Sequence, residues 1–168
     1  MNGGWCLDDF NSITNEVILL RKIDHVLIVK LFDAIEGTDR VFIVMEFAAG
    51  GDLFSRIIRD KERLYITEPI AKLLCYQVAL AIQHLHSLNI SHRDLKPENV
   101  LLTCDNDKTC AKITDFGYSK LCQDTHIMKT MCGTPMYMAP ELLVEPPQTR
   151  KYTNKVDLWS FGVLLFAW

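Results

Sequence analysis

No apolar run in this 168-residue chain is long enough to cross a bilayer, and the longest, at residues 161–168, falls far short of the ~20 residues a span requires. An excess of basic charge is also missing. The formal net charge is −3 and the sequence pI about 5.9, so neither a nucleic-acid footprint nor a polybasic membrane patch is expected. The start, Met1-Asn2-Gly3-Gly4-Trp5-Cys6, has no basic n-region and no apolar h-region, which predicts an intracellular protein. Six cysteines are present without a CxxC or CxxCH spacing, and Cys6, Cys75, Cys104, Cys110, Cys122 and Cys132 read as reduced thiols, with a zinc site as the alternative. Disorder and low complexity are excluded by 49% hydrophobic and 23% charged residues. There is no internal repeat. The chain stops at Trp168 in mid-run, with no cap or turn signal, and this predicts a fragment of a longer domain.

Local patterns predict an amphipathic helix over residues 14–25, with Val17, Leu20 and Ile23 inward. Two strand-like runs follow, Leu27 to Ala34 and Arg40 to Phe47, and the Gly-containing link at 36–39 predicts an antiparallel hairpin. The small residues at 48–51 read as a joint, followed by a short helix from Asp52 to about Arg59 that the Asp side chain caps. A long helix opens at Thr67, its N-cap, with Pro69 in the first turn and Ile70, Leu73, Leu74, Val78, Ala81, Ile82 and Leu85 inward. Short strands at 100–102 and 111–113 flank a turn at 105–108, residues 118–150 are loop-rich, and a helix resumes near Lys155.

Chemistry concentrates in one stretch. His92-Arg93-Asp94-Leu95-Lys96-Pro97-Glu98-Asn99 sets an acid, a cation and a metal-capable amide on one loop, and Asp115-Phe116-Gly117 begins sixteen residues beyond Asn99. This distribution suits phosphoryl transfer: one carboxylate positions the nucleophile, a cation offsets charge on the moving group, and an Asn/Asp pair holds Mg²⁺ against phosphate oxygens.

The order of that loop, Asp-Phe-Gly and then Ala139-Pro140-Glu141 resembles the eukaryotic protein kinase family over nearly the whole chain. The resemblance implies an α+β, two-lobed kinase fold, incomplete here. Residues 1–47 would be a remnant of the small antiparallel-sheet lobe with its C-helix, 48–51 the hinge, and 52–168 a partial helical large lobe. It implies that Asp94 accepts the proton of the substrate hydroxyl, that Lys96 neutralises the transferred group and marks a Ser/Thr kinase, and that Thr134 links the two. Asn99 and Asp115 would be the Mg²⁺ ligands. ATP would meet Met45 as gatekeeper, Glu46 to Ala48 as the adenine-facing hinge, Leu101 beneath the ring and Asp52 near the ribose. Met45 and Leu101 are equally well read as core residues. Glu16 resembles the C-helix glutamate, and Leu20, Leu31, His92, Phe116 and Asp157 resemble the stack that ties the lobes together.

Regulation is expected at Thr130, where a phosphate would face Arg93 and Lys120, since Arg93 beside the catalytic Asp otherwise lacks a partner. Asp52 and Glu98 match acids that read an arginine upstream of the phosphorylated residue in protein substrates. An upstream activating kinase or trans-autophosphorylation would serve Thr130. Residues 128–135 and 50–54 resemble the calmodulin-dependent-kinase group. Residues 113–120 and the lengthened 144–155 connection are most similar to checkpoint effector kinases that carry a forkhead-associated domain. Two family parts do not occur in this sequence, the GxGxxG phosphate-covering loop and the Val-Ala-Ile-Lys strand, so the segment alone is expected to be weak or inactive. The alternative is a non-catalytic product that acts by binding.

Overall fold

The computed structural model describes residues 16–37, 40–60, 66–121, 133–144 and 152–166, with the side chains of 59, 60, 120 and 121 excepted. Among the described residues the first helical stretch, α1, runs over 16–20 and ends earlier than the periodicity predicts. It closes in i→i−3 turns, Lys22 N–H to Leu19 carbonyl at 2.9 Å and Ile23 N–H to Leu20 carbonyl at 3.3 Å. Leu19, Leu20 and Ile23 are buried, whereas Val17 is only half-buried.

The first expected strand is split, which corrects the sequence reading. Leu27, Ile28 and Val29 are buried consecutively, which an alternating edge strand cannot do. They leave the hairpin to meet Ile113, whose N–H reaches the Leu27 carbonyl at 3.0 Å and whose carbonyl takes the Val29 N–H at 2.9 Å. Strand β1 therefore begins at Leu31 and runs Leu31–Glu36. It pairs antiparallel with β2, Val41–Met45, in the register Glu36↔Val41 to Leu31↔Met45, with an irregularity between Leu31 and Asp33. Phe47, 87% exposed, lies outside the pairing.

The joint at 48–51 is stitched to the larger part of the molecule. Gly50 N–H donates to the Leu102 carbonyl and Leu102 N–H to the Gly51 carbonyl, both at 2.8 Å. A Cβ on Gly50 would stand 2.5 Å from the Cys104 carbonyl oxygen, so the approach requires glycine. Helix α2, Leu53–Asp60, starts where predicted: Asp52 Oδ1 accepts the Ser55 N–H at 2.7 Å and Oδ2 the Ser55 hydroxyl at 2.8 Å.

Helix α3, Glu68–Ser87, buries Leu74, Val78, Ala81, Ile82 and Leu85 as the periodicity predicts. Two details differ. Thr67 holds the N-cap position with an extended backbone but makes no side-chain cap bond, and Leu73 is exposed. The residues α3 buries lie in one cluster with Leu95, Val100, Leu102, Ile113 and Phe116. Each such fully buried aliphatic side chain contributes roughly 1.5–3 kcal/mol of burial free energy.

Beyond α3 come β3 (Ile90–Ser91), a 3₁₀ turn at Pro97–Asn99, and the antiparallel pair β4 (Val100–Leu102) and β5 (Ala111–Ile113) around the predicted 105–108 turn. Strand β6, Lys120–Leu121, pairs back onto β3. Helix α4 covers Pro140–Val144 and α5 Lys155–Phe166. On α5, Leu158, Trp159, Leu165 and Phe166 are exposed.

Candidate active site

The loop between β3 and β4 is held from below by one carboxylate. Asp157, on α5 and 1% exposed, accepts four hydrogen bonds: the His92 N–H at 3.0 Å, the Arg93 N–H at 2.8 Å, the Ser91 hydroxyl at 3.0 Å and the His86 Nε2 contact at 2.8 Å. These bonds secure Arg93 at φ +71°, a left-handed conformation that costs a non-glycine residue about 1–2 kcal/mol. Above it, the His92 ring meets Phe116 edge-on at 5.1 Å between centroids and lies 3.0 Å from the Thr114 carbonyl. Complete burial pushes the His92 imidazole below its ordinary pKa despite the carboxylates nearby.

Asp94 faces the opposite way and anchors a compact ionic group. Its Oδ1 accepts both the N–H and the hydroxyl of Thr134, each at 2.7 Å. The Lys96 ammonium sits 2.9 Å from Asp94 Oδ2 and 2.9 Å from the Thr134 hydroxyl oxygen. Burial works to raise the Asp94 carboxyl, but the bonds from Lys96 and Thr134 outweigh it and hold the group below the usual carboxylate range. The same contact, against the cost of burial, raises Lys96. A carboxylate and a cation thus stand charged side by side. Gly133, at φ +108°, allows the close pass: a Cβ there would lie 2.4 Å from the Arg93 carbonyl oxygen.

Asn99 is turned toward the same group, its amide donating to the Asp94 carbonyl at 2.9 Å and to Asp94 Oδ2 at 3.2 Å. Its backbone carbonyl takes the Thr114 N–H at 3.0 Å, which brings the Asp115 loop alongside. Asp115 is exposed, at φ +66°, and accepts the Gly117 N–H at 3.3 Å. The Asn99 nitrogen is spent on Asp94, and its side-chain oxygen and the Asp115 carboxylate are hard donors of the type Mg²⁺ takes with nucleotide phosphates. Glu16 Oε1 accepts the Phe116 N–H at 3.4 Å, placing the helical glutamate on the Asp-Phe-Gly turn. Burial, with the nearby Asp115 charge adding to it, raises its carboxyl.

The expected nucleotide-facing residues follow the joint. Met45 ends β2 and is 39% exposed, and the half-buried Leu101 of β4 forms an isolated bridge with Asp52. Asp52 itself is engaged as the α2 cap, and Glu98 is exposed on the 3₁₀ turn. Ala48 is half-buried, and among the described residues its N–H has no backbone partner.

One premise of the sequence reading fails. Arg93 does not lack partners: its Nε donates to the Tyr118 carbonyl and its Nη1 to the Tyr152 hydroxyl at 3.1 Å. Thr130 and the Lys120 side chain lie outside the described residues, as do Cys6, Cys122 and Cys132. Cys75, Cys104 and Cys110 are free thiols, and among the described residues no three His, Cys, Asp or Glu side chains converge as a metal cluster. Nor is any helix there long and apolar enough to cross a membrane. Sequence reasoning missed Lys112, whose ammonium binds Glu46, and His86, the partner of Asp157. No local signal joins residues so far apart in the chain.

The small antiparallel sheet, the helical elements and the loop that carries Asp94, Lys96 and Asn99 are those of a partial protein kinase domain. The chain belongs to the protein kinase family: the protein kinase domain matches residues 6–168. It is 44% identical over 159 residues to the ovarian-specific serine/threonine-protein kinase Lok of Drosophila melanogaster, covering 95% of this chain and 33% of that one. It is 42% identical over 156 residues to a probable myosin light chain kinase of Dictyostelium discoideum, 92% of this chain and 49% of the relative. Serine/threonine-protein kinase ATG1b of Arabidopsis thaliana is 41% identical over 155 residues, 92% of this chain and 21% of its own length. The chain therefore spans between a fifth and a half of these relatives.

Proposed function

We propose that this chain carries the catalytic loop of an intracellular kinase that moves the ATP γ-phosphoryl group to Ser/Thr hydroxyls of protein substrates. The observation that carries the reading is the doubly bonded Asp94–Thr134 pair with Lys96 against both. Asp94, held ionised, takes the proton of the attacking hydroxyl as its oxygen bonds to phosphorus and the bond to the ADP leaving oxygen breaks. Lys96 offsets charge on the group in transit. Asn99 and Asp115 would hold Mg²⁺, which when bound supplies charge neutralisation at the phosphate oxygens. Residues 1–47, 48–51 and 52–168 divide as small-lobe remnant, hinge and partial large lobe. Met45, Glu46, Ala48 and Leu101 line the adenine site.

Finer points belong to the same proposal. The segment at 128–135 supports membership of the calmodulin-dependent-kinase group, and 113–120 a checkpoint role, nuclear by analogy. Thr130 is the activation site, with Arg93 and Lys120 as phosphate partners. Arg93 would then have to exchange the Tyr152 hydroxyl or the Tyr118 carbonyl for phosphate. Glu98 and Asp52 favour substrates with an upstream arginine, and no nucleic acid or membrane partner is proposed.

The 168 residues contain neither a GxGxxG loop nor a Val-Ala-Ile-Lys strand. Loss of even one preorganised donor costs roughly 10²–10³ in rate, so turnover by the segment itself is slow. The alternative reading is a non-catalytic product that binds kinase partners or substrates. The test is transfer from labelled ATP·Mg²⁺ to an arginine-containing Ser/Thr peptide. Slow transfer that Asp94→Asn abolishes supports the kinase reading. Folded protein that binds nucleotide without any transfer supports the binding product.

A further inference from the structure

Lys112 is 9% exposed, in the middle of β5, between the buried Ala111 and Ile113. Its ammonium reaches out of that strand to two other segments. It donates to the Val26 carbonyl at 2.7 Å and stands 2.9 Å from each carboxylate oxygen of Glu46. Burial works against charge on Glu46, but the Lys112 bond and the lysine charges prevail and hold its carboxyl below the usual range. Neither residue takes part in the phosphoryl-transfer group around Asp94.

The consequence appears in the backbone. Glu46 N–H donates to the Lys30 carbonyl at 2.8 Å, one half of an antiparallel hydrogen-bonded pair. The reciprocal bond would run from Lys30 N–H to the Glu46 carbonyl. Instead the Lys30 N–H is 3.3 Å from Glu46 Oε2, the carboxylate that Lys112 holds. The side chain has taken the place of its own carbonyl, and among the described residues that carbonyl has no donor. It belongs to the hinge, residues 46–48, that the nucleotide reading above sets against adenine.

We propose that Lys112 is a positioning residue for adenine recognition: by fixing the Glu46 carboxylate on the Lys30 N–H, it keeps the Glu46 carbonyl free for the adenine amino group. This rests on the nucleotide reading of residues 45–48. A structural role and a positioning role make opposite forecasts. Removing one partner of a buried ion pair is costly where it strands the other charge, but Glu46, 29% exposed, can turn its carboxylate to water once Lys112 is replaced by an apolar side chain of similar length. Without Lys112 the Lys30 N–H returns to the Glu46 carbonyl, and the amino group of adenine loses its acceptor.

The experiment is calorimetric binding of two Mg²⁺-nucleotides to the full chain, ADP and purine riboside 5′-diphosphate, which lacks the 6-amino group. The wild type binds ADP about tenfold tighter than the analogue, the worth of one well-made hydrogen bond. Lys112→Met brings that ratio close to one, and Lys112→Arg restores most of it. Glu46→Ala, which removes the carboxylate rather than the buried lysine, collapses the ratio likewise and carries the test if Lys112→Met does not fold. Lys72→Met, at an exposed pair with Glu68, leaves it unchanged. A wild-type ratio retained in Lys112→Met and Glu46→Ala overturns the proposal while the nucleotide reading stands. A wild-type chain that binds neither nucleotide overturns both.

Discussion

Thr134 reaches one oxygen of Asp94 twice, through its N–H and through its hydroxyl, both at 2.7 Å. The two residues are forty positions apart, and the bond pair pins the segment after Gly133 onto the loop that carries the candidate base. The hydroxyl also touches the Lys96 ammonium at 2.9 Å, so a single oxygen links acid and cation.

Thr134→Val keeps the shape and removes that oxygen. Phosphoryl transfer is expected to fall about 10- to 100-fold, while stability changes by no more than about 1.5 kcal/mol, the net worth of one hydrogen bond. Thr134→Ser should recover most of the rate. Transfer by the Val variant at the wild-type rate would contradict the assigned link.

Asp157→Asn puts an amide where four donors converge. At least one buried donor then faces another donor, which costs roughly 1–3 kcal/mol per unsatisfied group. Urea unfolding should show a loss of about 2–4 kcal/mol with an unchanged m-value. A loss below about 1 kcal/mol would mean that the loop is held by something other than this carboxylate.

The raised Glu16 carboxyl has a stability signature. The native state binds the Glu16 proton more tightly than the unfolded chain, so stability falls as pH climbs from the unfolded value, about 4.3, through the higher native one. Above that window the whole penalty is present. Glu16→Gln should flatten the curve there and leave the protein more stable at neutral pH. Parallel curves for wild type and variant, measured by urea unfolding between pH 4 and 8, would contradict the burial of an ionised Glu16.

What could be read from the sequence was what lies close along it. Asp94, Lys96 and Asn99 share one loop, the α3 stripe repeats at helical spacing, and Asp52 precedes the helix it caps, so each carried its own signal. The Leu27–Ala34 run could not be divided in advance. Its apolar residues look alike, and only the pairing of Leu27 and Val29 with Ile113 shows that the first three belong elsewhere. Lys112 reads as an ordinary polar position in a short strand, because its partners Val26 and Glu46 are 86 and 66 residues away. Arg93 was assigned a phosphate for lack of neighbours, yet Tyr118 and Tyr152, 25 and 59 residues on, already occupy it. Tertiary partners of single charged groups leave no periodicity to detect.

The most direct test of the central claim is the Mg²⁺ dependence of ADP binding, since it reads the Asn99–Asp115 pair independently of turnover. Calorimetry on the wild-type chain should show ADP affinity at least tenfold higher with Mg²⁺ than with chelator. Asp115→Asn should lose that gain while retaining the chelator-level affinity. Equal affinity with and without Mg²⁺, or an Mg²⁺ gain that survives Asp115→Asn, would contradict the assignment of this loop pair as the metal–nucleotide site.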